Sequence, residues 1–170
     1  MALLPIVIYP DPRLEQVSEP VTDINDEIRT LVADMVETLY ASDGVGLAAV
    51  QIGALKRIFV LDPTFAGGTK TDPALVFINP EIVFTEGKIK EEEGCLSLPG
   101  VFIPVERFAK SRVRATNLAG ETFELEGTGL LSRAFQHELD HLDGNLTIMK
   151  IGGIRRRLAL RKLRTPEEEE

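Results

Sequence analysis

The most regular pattern of apolar positions in the chain predicts an amphipathic helix near the N-terminus. Apolar residues recur there at the 3.6-residue period of a helix, at Ile24, Ile28, Leu31, Val32, Met35, Val36 and Leu39. We expect Asp23 to cap the start of this helix, Asp26 and Glu27 to occupy its first turn, and Gly44 to lie just beyond its end. Before the helix, apolar stretches alternate with prolines up to Pro20, which predicts an extended arm.

From residue 57 onward the pattern changes to short apolar runs separated by turn residues, which predicts strands. The predicted strands cover residues 58–61, 75–78, 82–85, 101–105, 112–117 and 122–125. Asn79 with Pro80, and Ala119 with Gly120, are typical of turns between strands.

A second helical pattern covers about residues 128–143, with Leu131, Phe135, Leu139 and Leu142 on its core face and Gly144 as a stop. A third covers about residues 154–164 and ends before a tail of glutamates. There is no repeat and no internal linker. We therefore predict a single α+β domain over residues 1–170, with antiparallel strands packed around the second helix, an N-terminal helix and a C-terminal helix.

Composition and charge narrow the class of protein. Hydrophobic residues make up 44% of the chain and charged residues 27%, as in ordinary globular proteins, and no apolar run approaches the roughly 18 residues that cross a bilayer. A single cysteine excludes an intramolecular disulfide and favours a cytoplasmic protein. The net charge of -8 is uneven, because residues 151–170 hold six basic side chains against four acidic ones. We expect an anionic partner for this segment only, no membrane partner, and a monomer.

Both histidines of the chain lie in the second predicted helix, at His137 and His141, and Glu138 follows the first. Residues four apart project from one helix face, so the two imidazoles can bind one metal ion while Glu138 reaches a water on that ion. Two surface histidines on an amphipathic helix are the structural alternative. The spacing, together with the adjacent glutamate, favours the metal site.

A catalytic metal commonly takes three protein ligands and leaves one position for water. Because both histidines are used, the third ligand must be a cysteine or a carboxylate. Cys95 is the only cysteine, and Gly94 before it would let the backbone approach the ion. Glu91, Glu92 and Glu93 are the competing ligands, although a charge run is typical of a solvated face.

The segment at residues 44–53, GVGLAAVQIG, is rich in small residues, which allow a backbone to approach a ligand closely. Its GxG is weak evidence for nucleotide binding, because no further glycine completes a phosphate-binding motif. Gln51 is the one polar side chain in the run. It is either a satisfied buried hydrogen-bonding group or a donor to a substrate oxygen.

Three segments in order resemble the motifs of the peptide deformylases: GVGLAAVQ at 44–51, EGCLS at 93–97 and QHELDHLDG at 136–144. The similarity extends over nearly the whole chain and includes the C-terminal helix of a bacterial type. It implies that Cys95, His137 and His141 hold a divalent metal, Fe2+ in the usual form, with Zn2+, Ni2+ or Co2+ able to substitute. The implied activity removes the formyl group from formyl-methionyl nascent peptides during protein biosynthesis and releases formate.

The resemblance also implies roles for individual residues. Glu138 would accept a proton from the metal-bound water as the hydroxide attacks the formyl carbon, and would then return it to the departing amine. The Gln51 amide and the Leu96 backbone N–H would donate to the developing oxyanion. A thiolate ligand on Fe2+ further implies sensitivity to oxidation.

The substrate residues implied by the resemblance are Val45 and Gly46, which would pair with the peptide as with an added strand, together with Glu93 and Leu130. Leu130 would border an apolar pocket for the methionine side chain. Some relatives place an arginine seven residues after the metal cysteine, where this chain has Phe102. A peptide contact made by that arginine is therefore not expected from Phe102, and Arg107 is the residue that could substitute for it.

The basic C-terminal helix has two interpretations. It is a solvated surface helix, or it resembles the helix by which some deformylases dock on the ribosome near the nascent-chain exit, in a salt-sensitive way. Two alternatives to a deformylase also stand. A metallopeptidase would share the His–Glu–x–x–His helix but does not explain Cys95, and a non-catalytic ribosome-binding module would not need Glu138 or Gln51.

Overall fold

A five-stranded antiparallel sheet and a separate two-stranded hairpin form the β-structure of the computed structural model, which describes residues 2–163. In chain order the elements are α1 (Asp26–Tyr40), β1 (Gly46–Ala48), β2 (Ile58–Leu61), β3 (Leu75–Glu86), β4 (Ile89–Cys95), β5 (Leu98–Arg107), β6 (Lys110–Thr116), β7 (Thr122–Thr128), α2 (Leu130–Leu142) and α3 (Gly153–Leu160). The large sheet has the order β1-β2-β3-β6-β7, and β4 pairs with β5. The predicted α+β class is confirmed, with antiparallel strands around the helix that carries both histidines.

The sheet lies between α1 and α2, and β2 is buried on both faces. Phe59 and Leu61 belong to the core shared with α2, whereas Ile58 and Val60 belong to the core shared with α1. Successive residues of a strand point to opposite faces, so four consecutive apolar residues supply both cores. Phe77 of β3 stacks on Phe59 with ring centroids 4.5 Å apart. The apolar side chains of β2 and β3 on this face, which pack against α2, therefore set the position of α2 over the sheet.

A third core joins the hairpin to the N-terminal arm and to the last described segment, which includes Leu160 and Leu163. Alternate residues of β5, such as Val101 and Ile103, are buried against the arm residues Val7 and Leu14. The intervening Phe102 points to solvent. The N-terminal segment is the predicted extended arm, interrupted by one 3-10 turn at Pro12–Glu15.

The helices begin and end close to the predicted positions, with one wrong cap. Asn25, and not Asp23, caps α1, because the Asn25 side chain accepts a hydrogen bond from the Ile28 N–H at 3.0 Å. α3 ends at Leu160, and the predicted end at Arg164 and the glutamate tail lie outside the described residues. None of the helices in residues 2–163 combines the length and apolar character needed to cross a membrane.

Asn79 and Pro80 form a bulge within one long strand and not the predicted turn between two strands. Pairing of β3 with β6 shifts register between Ile78 and Glu81. Asn79 takes a φ of 52°, and its side chain both accepts from the Val21 N–H and donates to the Val21 carbonyl, each at 2.8 Å. The bulge therefore ties the sheet to the segment before α1.

β1 and β4 were not predicted, for different reasons. β1 has three residues and too few large side chains to show alternation. β4 carries consecutive glutamates, which are depleted in strands. Glu91 and Glu92 are exposed as expected for a charge run, but the same expectation is wrong for Glu93, which is buried.

Candidate metal centre

Two histidines of α2 and the cysteine at the end of β4 converge on one point. His141 Nε2 lies 3.2 Å from His137 Nε2 and 3.4 Å from the Cys95 Sγ. The three ligand atoms all lie within 4.8 Å of one another. A tetrahedral ion at about 2.0–2.1 Å from each nitrogen would set two nitrogens about 3.4 Å apart, so the arrangement fits a metal ion.

The electrostatics of the two imidazoles also fit a cation. Burial opposes protonation of His137, but its hydrogen bonds with Cys95 and Glu93 outweigh burial and raise its pKa. Burial lowers the pKa of His141, and the charges of His137 and Arg107 lower it further. The two Nε2 atoms therefore share one proton at 3.2 Å, and a divalent ion held between them would take the place of that proton. Among the candidates for a third ligand, Cys95 is the one that meets both histidines, because its Sγ lies 3.4 Å from His141 Nε2.

Glu93 contacts the opposite side of the His137 ring. Its Oε1 lies 2.9 Å from His137 Nδ1, so Nδ1 donates and Nε2 is left as the ligand atom. Arg107 donates to both Glu93 oxygens at 2.9 Å, and its third nitrogen donates to Asp140 at 2.6 Å. Burial would raise the pKa of Glu93, but the hydrogen bonds from His137 and Arg107 outweigh it and lower the pKa to about 2. Arg107 is buried in this network, so the idea that it substitutes for a peptide-contacting arginine is wrong.

Glu138 lies beside the ligand atoms and against strand β1. It is buried, and its Oε1 has no hydrogen-bond partner among residues 2–163. A Cβ added to Gly46 would lie 3.2 Å from Glu138 Cγ and 2.5 Å from Leu61 Cδ2, so this approach requires glycine at position 46. Burial raises the pKa of Glu138 to about 7, against the opposing charge of His137. A carboxyl group with such a pKa can both accept and return a proton near neutral pH.

Gln51 is fixed by hydrogen bonds at both ends of its carboxamide. It lies in a 3-10 turn, Ala49–Ile52, directly after β1. Its Oε1 accepts from the Ala48 N–H at 3.0 Å, and its Nε2 donates to Ser97 Oγ at 3.2 Å and lies 3.8 Å from the Cys95 Sγ. The amide N–H groups are thereby aimed at the metal ligands.

A cavity of about 640 Å3 opens beside the ligand atoms. The residues that the resemblance associates with the oxyanion and the substrate line it, namely Val45, Gly46, Gln51, Glu93, Leu96 and Leu130, as does Phe102, whereas Arg107 does not. Glu93 contributes to this wall, although its carboxylate is occupied by His137, Arg107 and Arg133.

Two arm residues that no sequence pattern indicates, Ile6 and Ile8, also line the cavity. The residues that follow each of them make backbone hydrogen bonds. The Val7 N–H donates to the Gln51 carbonyl at 2.7 Å, and the Tyr9 N–H donates to the Ser97 carbonyl at 2.9 Å. These contacts join positions more than 40 residues apart, and no local sequence signal precedes them. The arm therefore holds the turns that carry two of the motifs.

Comparisons with known proteins agree with this geometry. A sequence model of the polypeptide deformylase family matches residues 3–157. A peptide deformylase of Acidobacterium capsulatum is 54% identical over 164 residues, which cover 96% of this chain and 95% of the relative.

Solved structures are similar as well. A peptide deformylase from Legionella pneumophila superimposes with a TM-score of 0.89 at 40% identity, covering 95% of this chain and 93% of that one. A peptide deformylase from Ehrlichia chaffeensis in complex with actinonin gives a TM-score of 0.87 at 39% identity, covering 95% and 96%. These matches favour a deformylase over the two alternatives, a metallopeptidase and a non-catalytic binding module. The chain belongs to the peptide deformylase family, as a metallohydrolase that removes the N-terminal formyl group from nascent peptides.

Proposed function

We propose that Glu138 is the proton carrier of the deformylation reaction and that Gln51 and Leu96 bind the oxyanion. The observation that carries the proposal is the position of Glu138, whose Oε1 is buried beside the convergent Cys95, His137 and His141 and has no hydrogen-bond partner within residues 2–163. A divalent ion held by these three side chains would supply Lewis acidity towards water and the formyl oxygen.

The side chains divide the chemistry between them. Glu138 accepts the proton of the attacking water, and the same carboxyl group later delivers it to the amine as the bond between the formyl carbon and the methionine nitrogen breaks. The Gln51 carboxamide, already aimed at the site, donates to the negative charge that develops on the formyl oxygen. The backbone N–H of Leu96, in the turn after Cys95, is the second donor. The products are formate and a peptide with a free N-terminal methionine.

We propose that the substrate lies along Val45 and Gly46. In the part of the chain that the structure describes, β1 pairs with β2 alone, so its other edge can pair with an extended peptide. Leu130, which is half exposed, and Ala134 border the cavity on the α2 side and would contact the methionine side chain.

The test is formate release from formyl-Met-Ala-Ser by protein purified anaerobically with Fe2+. Glu138→Gln should still bind the metal in stoichiometric amount but lose at least about 100-fold in kcat, the usual contribution of a positioned acid–base group. Equal kcat values for the two proteins would exclude Glu138 as the proton carrier. Gln51→Ala should lower kcat with little change in metal content.

We propose Fe2+ as the native metal, in keeping with one thiolate and two imidazole ligands, which form a softer site than carboxylates would. Metal analysis of protein purified anaerobically from cells grown without added metal tests this directly. Loss of Fe-loaded activity in air, with retained activity of the Ni2+ form, is expected. Recovery of zinc alone from such cells would contradict the assignment.

We further propose that α3 contacts the ribosome. Ile154 and Leu158 are exposed one helical turn apart, beside the exposed Arg155, Arg157 and Arg161. Deleting the segment would also remove Leu160 and Leu163 from the third core, so substitutions are the sharper test. Replacing the three arginines by glutamate should abolish co-sedimentation with ribosomes at low salt while leaving deformylation of the tripeptide unchanged. Undiminished co-sedimentation would exclude α3 as the contact.

The chain is proposed to act in the cytoplasm as a monomeric single domain. Light scattering should give a mass near the 18.7 kDa of the chain, and unfolding should show one cooperative transition. A mass twice as large would contradict the monomer.

A further inference from the structure

Phe102 is an exposed aromatic ring in the wall of the catalytic cavity. It lies on β5 between the buried Val101 and Ile103, with 62% of its surface exposed. It lines the same cavity as His137 and Glu138. A large apolar side chain in such a position leaves water against its ring, and a ligand that covers it gains binding energy.

The ring lies directly on the backbone before the metal ligand. A Cβ added to Gly94 would lie 2.6 Å from Phe102 Cε1, so the ring packs on the glycine that precedes Cys95. One edge of the ring thus packs against β4, and the largely exposed side chain lines the cavity. Packing on Gly94 restricts the positions open to the ring, which lowers the entropic cost of a contact with a ligand.

The exposed side chains of the cavity wall are either acidic or apolar, and Phe102 is more exposed, at 62%, than Leu130, at 50%. The exposed charged residues that line the cavity, within residues 2–163, are the acidic Asp43, Glu91 and Glu92. The cation in its wall, Arg133, is 3% exposed and pairs with Glu93 at 2.7 Å. No exposed cation of the described cavity wall is available to bind an acidic side chain or a peptide carbonyl.

We infer that Phe102 is a specificity-determining residue, which selects substrates with a large apolar or aromatic side chain at the second or third position of the formyl-Met peptide. The inference rests on the proposed binding of the substrate in this cavity. An aromatic pair contributes about 0.5–1.5 kcal/mol beyond simple burial, which corresponds to a preference of about two- to tenfold in kcat/KM over alanine.

The experiment compares kcat/KM for formyl-Met-Ala-Ser, formyl-Met-Phe-Ser and formyl-Met-Ala-Phe in the metal-loaded enzyme. The wild type should favour at least one phenylalanine peptide over formyl-Met-Ala-Ser by about two- to tenfold, and Phe102→Ala should bring that ratio close to one. Phe102→Tyr should keep the preference, since the ring is retained. A ratio that is unchanged in Phe102→Ala would overturn the inference.

Phe84→Ala is the matched control. Phe84 is a partly exposed phenylalanine on β3 that does not line the cavity, so its loss should leave both the ratio and kcat/KM unchanged. A purely structural role of Phe102 would lower kcat/KM for all three peptides equally, and that result also overturns the inference. Absence of any formate release by the wild type would instead contradict the proposed function, so the two failures are distinguishable.

Discussion

Glu93 Oε1 lies 2.9 Å from His137 Nδ1, on the ring nitrogen opposite to the one that faces Cys95 and His141. A histidine that donates from Nδ1 to a carboxylate is held in one tautomer and one orientation, with Nε2 free for a metal. Arg107 and Arg133 in turn fix the carboxylate of Glu93. The metal ligand set is therefore supported from behind by a buried network of charges.

Glu93→Gln should weaken metal binding by about 10- to 100-fold, because an amide oxygen can still accept from His137 Nδ1 but lacks the negative charge that strengthens this ligand. Competition with a chelator measures the change. Glu92→Gln is the matched control, since Glu92 is an exposed neighbour on the same strand. Equal metal affinities for both variants would contradict the positioning role. The substitution also leaves Arg107 and Arg133 without their shared partner, so the melting temperature should be recorded for each variant.

Glu138 should make the metal-free protein less stable as pH rises. Its pKa in the fold is about 7, above the ordinary 4.5, so between these values the folded state binds more protons than the unfolded state. The loss in the free energy of unfolding begins near pH 4.5 and is complete above pH 7, where it is on the order of 3 kcal/mol. Metal-free Glu138→Gln should therefore be more stable than the wild type at pH 8 and equally stable at pH 4. Urea unfolding at the two pH values measures this, and a difference that does not depend on pH would refute it.

Gly46→Ala should lower kcat, because it displaces either β1 or the Glu138 side chain. The added methyl group would meet Leu61 Cδ2 and Glu138 Cγ, so β1 or the Glu138 side chain must shift, at a cost of about 1–3 kcal/mol. Steady-state kinetics with formyl-Met-Ala-Ser give the effect on kcat. Gly152→Ala is the control, because a Cβ there meets nothing within 4 Å. Wild-type kcat in Gly46→Ala would show that the close packing is not required.

Asn79→Ala should destabilise the protein by about 1–3 kcal/mol, because the Val21 N–H and carbonyl lose their partners and alanine disfavours a φ of 52°. Asn79→Gly removes the same hydrogen bonds but accepts this φ, so it should be less destabilising than alanine. Chemical unfolding of the two variants separates the two contributions. Equal stability losses would mean that the backbone conformation contributes nothing.

The local pattern was sufficient for the elements with a clear period. The 3.6-residue repeat gave α1 and α2 to within a few residues at each end, and β2 was predicted at its observed bounds. The spacing of His137 and His141 needs only one helical turn, so their shared face could be inferred from sequence. The chemistry of metal sites limited the third ligand to a cysteine or a carboxylate, and only the resemblance to the peptide deformylases singled out Cys95.

Only the tertiary structure decided which groups surround that ligand set. Three features depend on contacts between distant segments. Glu93 is buried although it lies in an acidic run, Arg107 is buried against Glu93 and does not reach the cavity, and the N-terminal arm contacts Gln51. The bulge at Asn79 has the same origin, since its side chain is satisfied by Val21, 58 positions away. Periodicity reports which face of an element is buried, whereas the partner of a buried charge is set by the packing of other elements, which no local pattern contains.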